Sequence, residues 1–178
     1  MLISFLCVAC IAGGQTVYEV DEGQISINSN AQNEFIRASS PKLKGVIDID
    51  KKQFVFKIDV STFEGFNSPL QKEHFHENYM ETFKFPEIIF TGKVIEDVNL
   101  QKNGKYRVRA KGKLTVHGVS TDRIIYTDVL VRGGNIEIFS EFKVALADHD
   151  IKIPRVVNDK LATEIFIVVK SILVRKQA

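Results

Sequence analysis

Tryptophan is absent from this 178-residue chain, and its two cysteines, Cys7 and Cys10, both fall within the first ten residues. Without a thiol beyond Cys10, a disulfide-stapled fold is excluded, and the hydrophobic core and the backbone ladders must hold the structure together. Charge of one sign is lacking too. The 24 Lys and Arg stand against 22 Asp and Glu, a formal net charge of +2, which gives no electrostatic footprint for nucleic acid as a partner. No repeat, low-complexity tract or long linker interrupts the chain. A hydrophobic fraction of 44% and a charged fraction of 26% are those of one ordinary globular domain.

The opening run, Met1-Leu-Ile-Ser-Phe-Leu-Cys-Val-Ala-Cys-Ile-Ala-Gly-Gly14, is apolar and ends in small residues, and the chain turns polar at Gln15. It is shorter than the ~20 residues a membrane span needs. It reads as a secretory signal peptide over 1–14, with only the α-amino group charging its start, removed near Gly14. The expectation is therefore a periplasmic or secreted protein in which 15–178 form a single domain. Lipid attachment at Cys10, after Val8 and Ala9, is the alternative, against which stands Cys7 where a branched aliphatic residue would be expected.

Beyond Gln15 the pattern has period two. Phe54, Phe56, Ile58 and Val60 share one face and Val55, Lys57, Asp59 and Ser61 the other. Tyr106, Val108, Ala110, Leu114 and Val116 repeat this against Arg107, Arg109, Lys111 and Lys113, as do Ile136, Ile138, Phe142 and Val144 against Glu137, Glu141 and Lys143. Weaker strands fit 18–20, 24–28, 34–39, 45–49, 88–95, 123–131 and 162–174. Turn chemistry separates them at 21–23, 50–52, 102–105 and 133–135, and Asn103-Gly104 is the strongest hairpin signal. Eight or so strands without helical crossovers predict an all-β antiparallel meander, as a sandwich or a barrel closed on itself.

One short helix stands out in this β-chain. Ser68 can cap it, Pro69 suits its first position, and Gln71 three residues after the cap completes a capping box. Leu70, His74, Phe75, Asn78 and Tyr79 form its expected inner stripe, with Lys72, Glu73, His76 and Glu77 facing away. The helix ends before Phe83-Lys-Phe-Pro86, because proline disfavours helical angles in its predecessor.

The segment Tyr79-Met-Glu-Thr-Phe-Lys-Phe-Pro-Glu-Ile-Ile-Phe-Thr-Gly92, followed by Gly112-Lys-Leu-Thr-Val-His-Gly-Val-Ser120, resembles the YceI-like family of exported, lipocalin-like proteins. The resemblance runs from about Tyr18 to Val174. It departs at Thr121-Asp-Arg123, where many relatives carry Lys-Pro, and is looser from Asp148 onward. It implies an extended, about eight-stranded lipocalin-like barrel bordered by the helix, enclosing a long apolar ligand such as a polyisoprenoid, with no catalytic role established for the family as a whole; no cofactor is expected. The residues themselves are compatible: 13 Phe recur at inward positions, where they can pack a core or wall a cavity. The expected ligand wall is Phe54, Phe56, Ile58, Phe90, Tyr106, Val108 and Phe142 along the barrel, with Phe75 and Tyr79 from the helix at one mouth.

Other chemistry has weaker support. His74 and His76 point roughly 200° apart on a helix, a poor geometry for sharing a metal. His117 beside a turn and His149 within Asp148-His-Asp150 bring no serine or cysteine nucleophile at a recognisable spacing. The row Arg107, Arg109, Lys111 and Lys113 is expected to be a solvated exterior paired with acids, or a transient contact with a membrane surface or anionic head group. Three classes follow: an exported soluble carrier, store or sensor of an apolar lipid; a small outer-membrane barrel, disfavoured by four bases on one face and by few aromatics for its girdles; and an envelope enzyme using His117 or His149. A second copy of the chain is admitted as a partner.

Overall fold

The computed structural model describes residues 15–155 and 159–176. The expected leader, with Cys7 and Cys10, lies outside these residues.

The alternating segments become nine strands: β1 (Val17–Asn30), β2 (Phe35–Ser40), β3 (Lys44–Asp48), β4 (Gln53–Asp59), β5 (Glu87–Val94), β6 (Gly104–Val116), β7 (Val119–Arg132), β8 (Asn135–Ala145) and β9 (Glu164–Arg175). Each pairs antiparallel with its neighbour, and β1 also pairs along β9, so the sheet closes. β2 and β3 are halves of one stave. Both lie on the same edge of β1 in one unbroken register, with Ile25 opposite Ser40 and Tyr18 opposite Ile47. The stave is interrupted at 41–43, where Pro41 has no N–H to give the ladder. Counted by staves, this is a closed eight-stranded antiparallel barrel with one short helix.

Two expected turns behave differently. Residues 21–23 do not separate two strands: β1 runs through them, and one extra residue between Val20 and Glu22 shifts its register on β9. A bulge uses the same small and acidic residues as a turn. Asn103-Gly104 closes no two-residue hairpin, since residues 95–103 link β5 to β6. The tight hairpins are at His117-Gly118 (φ 50° and 75°) and Gly133-Gly134 (φ 59° and 82°), the paired positive angles that match strand twist.

The motif glycines now have a physical reason. Gly92 on β5 and Gly112 on β6 lie directly opposite each other. A Cβ on Gly92 would sit 2.1 Å from the Lys111 carbonyl oxygen, and one on Gly112 would sit 2.1 Å from that of Thr91. The two backbones approach so closely that neither position has room for a side chain.

The helix is two segments, α1 (Pro69–His74) and a π-helical turn over Phe75–Tyr79. Ser68 caps it as expected, its Oγ accepting from the Gln71 amide at 3.2 Å. The reciprocal bond differs: Gln71 Oε1 accepts from the amide of Asn67 at 3.0 Å, one residue earlier than a capping box requires. The Met80 amide closes the π turn on the Phe75 carbonyl at 2.9 Å.

Candidate functional site

The barrel interior is not filled. At one end Leu100, Val108, Val129, Val131, Ile136 and Leu173 pack into a dense layer. Above that floor is a cavity of about 240 Å³. Apolar voids of ~150 Å³ already accept a benzene-sized guest, so this space exceeds a packing defect.

Its walls come from every stave. Ile25 and Ile27 of β1, Phe54, Phe56 and Ile58 of β4, Ile88 and Phe90 of β5, Leu114 of β6, Ile125 of β7, Phe142 of β8 and Ile167 of β9 all face it. The Phe54 ring lies 5.0 Å from that of Phe90 and 5.9 Å from that of Phe56, tilted contacts that hold the wall's shape. At the other end Gln71, Phe75, Tyr79 and Met80 of the helix, with Phe63 and Phe66 of the loop before it, line the cavity mouth. Phe75 packs between Phe63 (5.8 Å) and Phe66 (5.0 Å).

Eight of the nine wall residues expected from sequence line this space: Phe54, Phe56, Ile58, Phe75, Tyr79, Phe90, Val108 and Phe142. Tyr106 does not. Its ring packs under the floor layer and its hydroxyl donates to the Lys102 carbonyl at 2.8 Å, so Val108 and its neighbours stand between it and the cavity. The helix stripe also needs correction. Leu70, His74 and Asn78 are exposed, and the inward residues are Gln71, Phe75 and Tyr79. Their spacing of four keeps them on one face of the helix. His76, expected outside, is half-buried against Phe66 and Phe75, with Nδ1 3.0 Å from Thr82 Oγ1. Desolvation there, aided by nearby Lys72, lowers its pKa from the usual 6.5.

Phe63 and Phe66 lie outside any periodic segment, and Met80, inside the expected helix, is not on its expected inner stripe. Ile25, Ile27 and Ile167 carry the alternation that could have found them.

His117 and His149 meet, but away from the cavity. His117 Nδ1 donates to the His149 carbonyl at 3.2 Å, while its Nε2 faces Glu81 Oε2 at 2.9 Å. Glu81 lies two residues after the π turn, so this contact ties the end of the helix to the β6–β7 hairpin. His149 is fully buried. Its Nδ1 donates to the Val119 carbonyl at 2.9 Å, and its Nε2 lies 3.5 Å from Thr121 Oγ1. Both rings are thus hydrogen-bonded ties between segments. His74 is exposed and His76 half-buried, so the helix does not bring that pair together either.

The basic row lies on the barrel's outer surface, where Arg107 meets Asp128 (3.9 Å), Arg109 meets Glu96 (2.7 Å) and Lys113 meets Asp122 (3.3 Å). An apolar inside and a charged outside are the reverse of a membrane-spanning barrel. No helix among the described residues is long and apolar enough to cross a membrane.

A closed antiparallel barrel around an apolar cavity, bordered by a short helix, defines the lipocalin-like class. Within it, the chain belongs to the YceI-like family, whose domain model matches residues 18–170. No curated protein sequence matches the chain. Among solved structures, the fold is shared with a polyisoprenoid binding domain from Saccharophagus degradans implicated in plant cell wall breakdown (TM-score 0.76, 15% identity, covering 89% of this chain and 98% of that one). It is shared also with BcnA of Burkholderia cenocepacia (0.70, 13%, 84% and 95%) and a YCEI protein of Campylobacter jejuni (0.61, 17%, 79% and 85%).

Proposed function

We propose that this chain is an exported, non-catalytic binding protein that holds one long apolar lipid, a polyisoprenoid or acyl chain, inside the barrel for carriage, storage or sensing, as the single domain 15–178 left after removal of its leader. The observation that carries this reading is the cavity: about 240 Å³ walled by aliphatic and aromatic side chains from every stave. The polyisoprenoid-binding relative of similar fold supports the ligand class, and the apolar run before Gln15 supports export.

Energetics favour a long chain over a short one. Burying a CH₂ gains about 0.8 kcal/mol, so fifteen carbons contribute about 12 kcal/mol, against an association cost of about 4–15 kcal/mol. Each further buried CH₂ adds to the gain while the association cost changes little, so a longer chain is held more tightly. The helix closes or borders the mouth, and Phe75 and Tyr79 are its contacts with the ligand.

Native mass spectrometry of the purified protein, then organic extraction and reloading with an isoprenoid alcohol, tests the reading. A bound lipid and stoichiometric reloading are expected, and Phe56→Asp, which places a carboxylate in the wall, should abolish uptake. Failure of the wild-type protein to carry or take up any lipid would end the carrier reading. Uptake by a folded Phe56→Asp protein would place the ligand elsewhere.

A further inference from the structure

Hydrogen-bonding groups are scarce in the cavity wall, and most stand near its mouth or are already engaged. Lys57 donates to Glu87 at 2.7 Å, Gln71 bonds Asn67 and Glu34, and Ser29, near the lid-side end of β1, accepts from the Ala162 amide at 2.9 Å. Thr127 of β7 and Ser140 of β8 are different. They are 8% and 6% exposed, sit directly opposite each other across the two strands, and both line the cavity. Their neighbours across the adjoining ladders are Val108 and Val169. Ile125 and Val129 flank Thr127 on its face, and Ile138 and Phe142 flank Ser140.

Counting protons shows what is unusual. Thr127 Oγ1 and Ser140 Oγ are 2.8 Å apart and bond each other. Two hydroxyls bring two donors, and the bond between them uses one. Among the described residues neither oxygen has another partner. The other paired hydroxyls differ: Thr115 and Ser120 (2.6 Å) bond each other on the exposed surface, where water takes the spare donor, while Thr62 donates to the Asp59 carbonyl (2.6 Å), so Ser40 donates to Thr62 (2.6 Å), and Ser40 accepts from the Lys42 amide (3.2 Å). Ser171 donates to the Glu22 carbonyl at 3.0 Å. A buried donor is costly to leave unmade, and the Thr127–Ser140 pair holds one that faces the ligand space.

We propose that Thr127 and Ser140 form a polar subsite deep in the barrel that accepts an uncharged carbonyl oxygen on the bound chain. The proposal rests on the carrier reading and sharpens it. The pair lies five residues from the lid-side end of β8 and eight from that of β7. At about 3.3 Å per residue and a tilt of about 40°, this is about 13 to 20 Å along the barrel axis. The ligand therefore lies with its oxygen-bearing end inward and its hydrocarbon toward the helix. A carboxylate does not fit: among the described residues no uncommitted cation lines the cavity, and a bare charge in that wall would be far costlier than a ketone, ester or quinone oxygen.

The test compares pentadecan-2-one with pentadecane by displacement of a fluorescent alkyl-chain probe from delipidated protein. It uses wild type, Thr127→Ser, and the double variant Thr127→Val with Ser140→Ala. The alkane cancels differences in chain burial, so the ketone-to-alkane affinity ratio reads the subsite alone. The ratio should fall about fivefold in the double variant, the worth of one neutral hydrogen bond, and stay near wild type in Thr127→Ser. An unchanged ratio would make the pair a cross-strand tie and overturn the subsite while leaving the carrier reading intact. Binding of neither compound to wild type would overturn both. Should the double variant not fold, the infrared carbonyl band of the ketone bound to wild type decides: a band lowered from its position in hydrocarbon solvent supports the subsite, and an unshifted one refutes it.

Discussion

Gly112→Ala should damage this barrel more than its small size suggests. The new Cβ would lie 2.1 Å from the Thr91 carbonyl oxygen and 2.9 Å from the Gly92 Cα. Both are backbone atoms, so no side chain can swing aside, and β5 must move about 1 Å away from β6 to restore ordinary contact. Such a shift loosens about two ladder hydrogen bonds, worth about 1 kcal/mol each, on top of an overpacking cost of about 1–3 kcal/mol. The sum is about 3–5 kcal/mol, a large share of the 5–15 kcal/mol that separates folded from unfolded chains. For a domain of this size it corresponds to a Tm lower by about 6–20 °C. Urea denaturation followed by circular dichroism measures it, with Gly133→Ala as the comparison. Gly133 has open space around it and a φ of 59°, so its cost is conformational only, about 1–2 kcal/mol. If Gly112→Ala loses no more than Gly133→Ala, the close approach is not what position 112 requires.

Two further expectations concern the helix. Ser68→Ala removes its only side-chain N-cap and should cost about 1 kcal/mol; if the helix gates the cavity, lipid release from loaded protein, followed by stopped-flow fluorescence, speeds up, whereas an unchanged release rate would remove the helix from the exit path. Hydrogen bonding to Lys84 first, and then to His117, holds the Glu81 carboxyl below its ordinary value of 4.5. A carboxyl depressed in the folded state favours folding above that value and loses its contribution as pH falls below about 4.5. The wild-type denaturation midpoint should therefore drop more steeply below pH 4.5 than that of Glu81→Gln, and parallel curves would dissociate the tie from stability.

The strands were legible wherever one face is dry and the other wet, as at Phe54 to Val60 and Tyr106 to Val116, because period two has no other structural reading over that length. Residues 21–23 were not, since a bulge and a turn draw on the same residue types, and only the partner strand β9 distinguishes them. Asn103-Gly104 misled for a related reason: a dipeptide able to turn need not do so when the flanking strands are set nine residues apart. The tight turn is the next one, from β6 to β7, where His117-Gly118 turns the chain with a histidine at positive φ that its hydrogen bonds to His149 and Glu81 help to hold. In the site, Phe54, Phe56, Ile58 and Phe90 on regular strands announced themselves, and so did Phe75 and Tyr79 of the helix stripe. Leu70, His74 and Asn78 of that stripe are exposed and Gln71 faces inward instead, and local sequence does not encode which carbonyl the Met80 amide will choose. Tyr106 has the right parity for the wall and the wrong depth. Parity is a property of one strand; depth depends on what the other seven staves place around it.

Closure of the barrel through β1 and β9 also bears on how the chain assembles. The ladder that seals the wall joins Tyr18 to Arg175, residues 157 apart in sequence, and the pairs from β3 to β8 are all between neighbours. Folding speed falls as contacts become more distant along the chain, so the meander can form early while the seam waits for both ends. Until then one edge of β1 and one edge of β9 are open templates for a wrong partner. The cavity has no existence before the seam closes, because an open sheet has two faces and no interior.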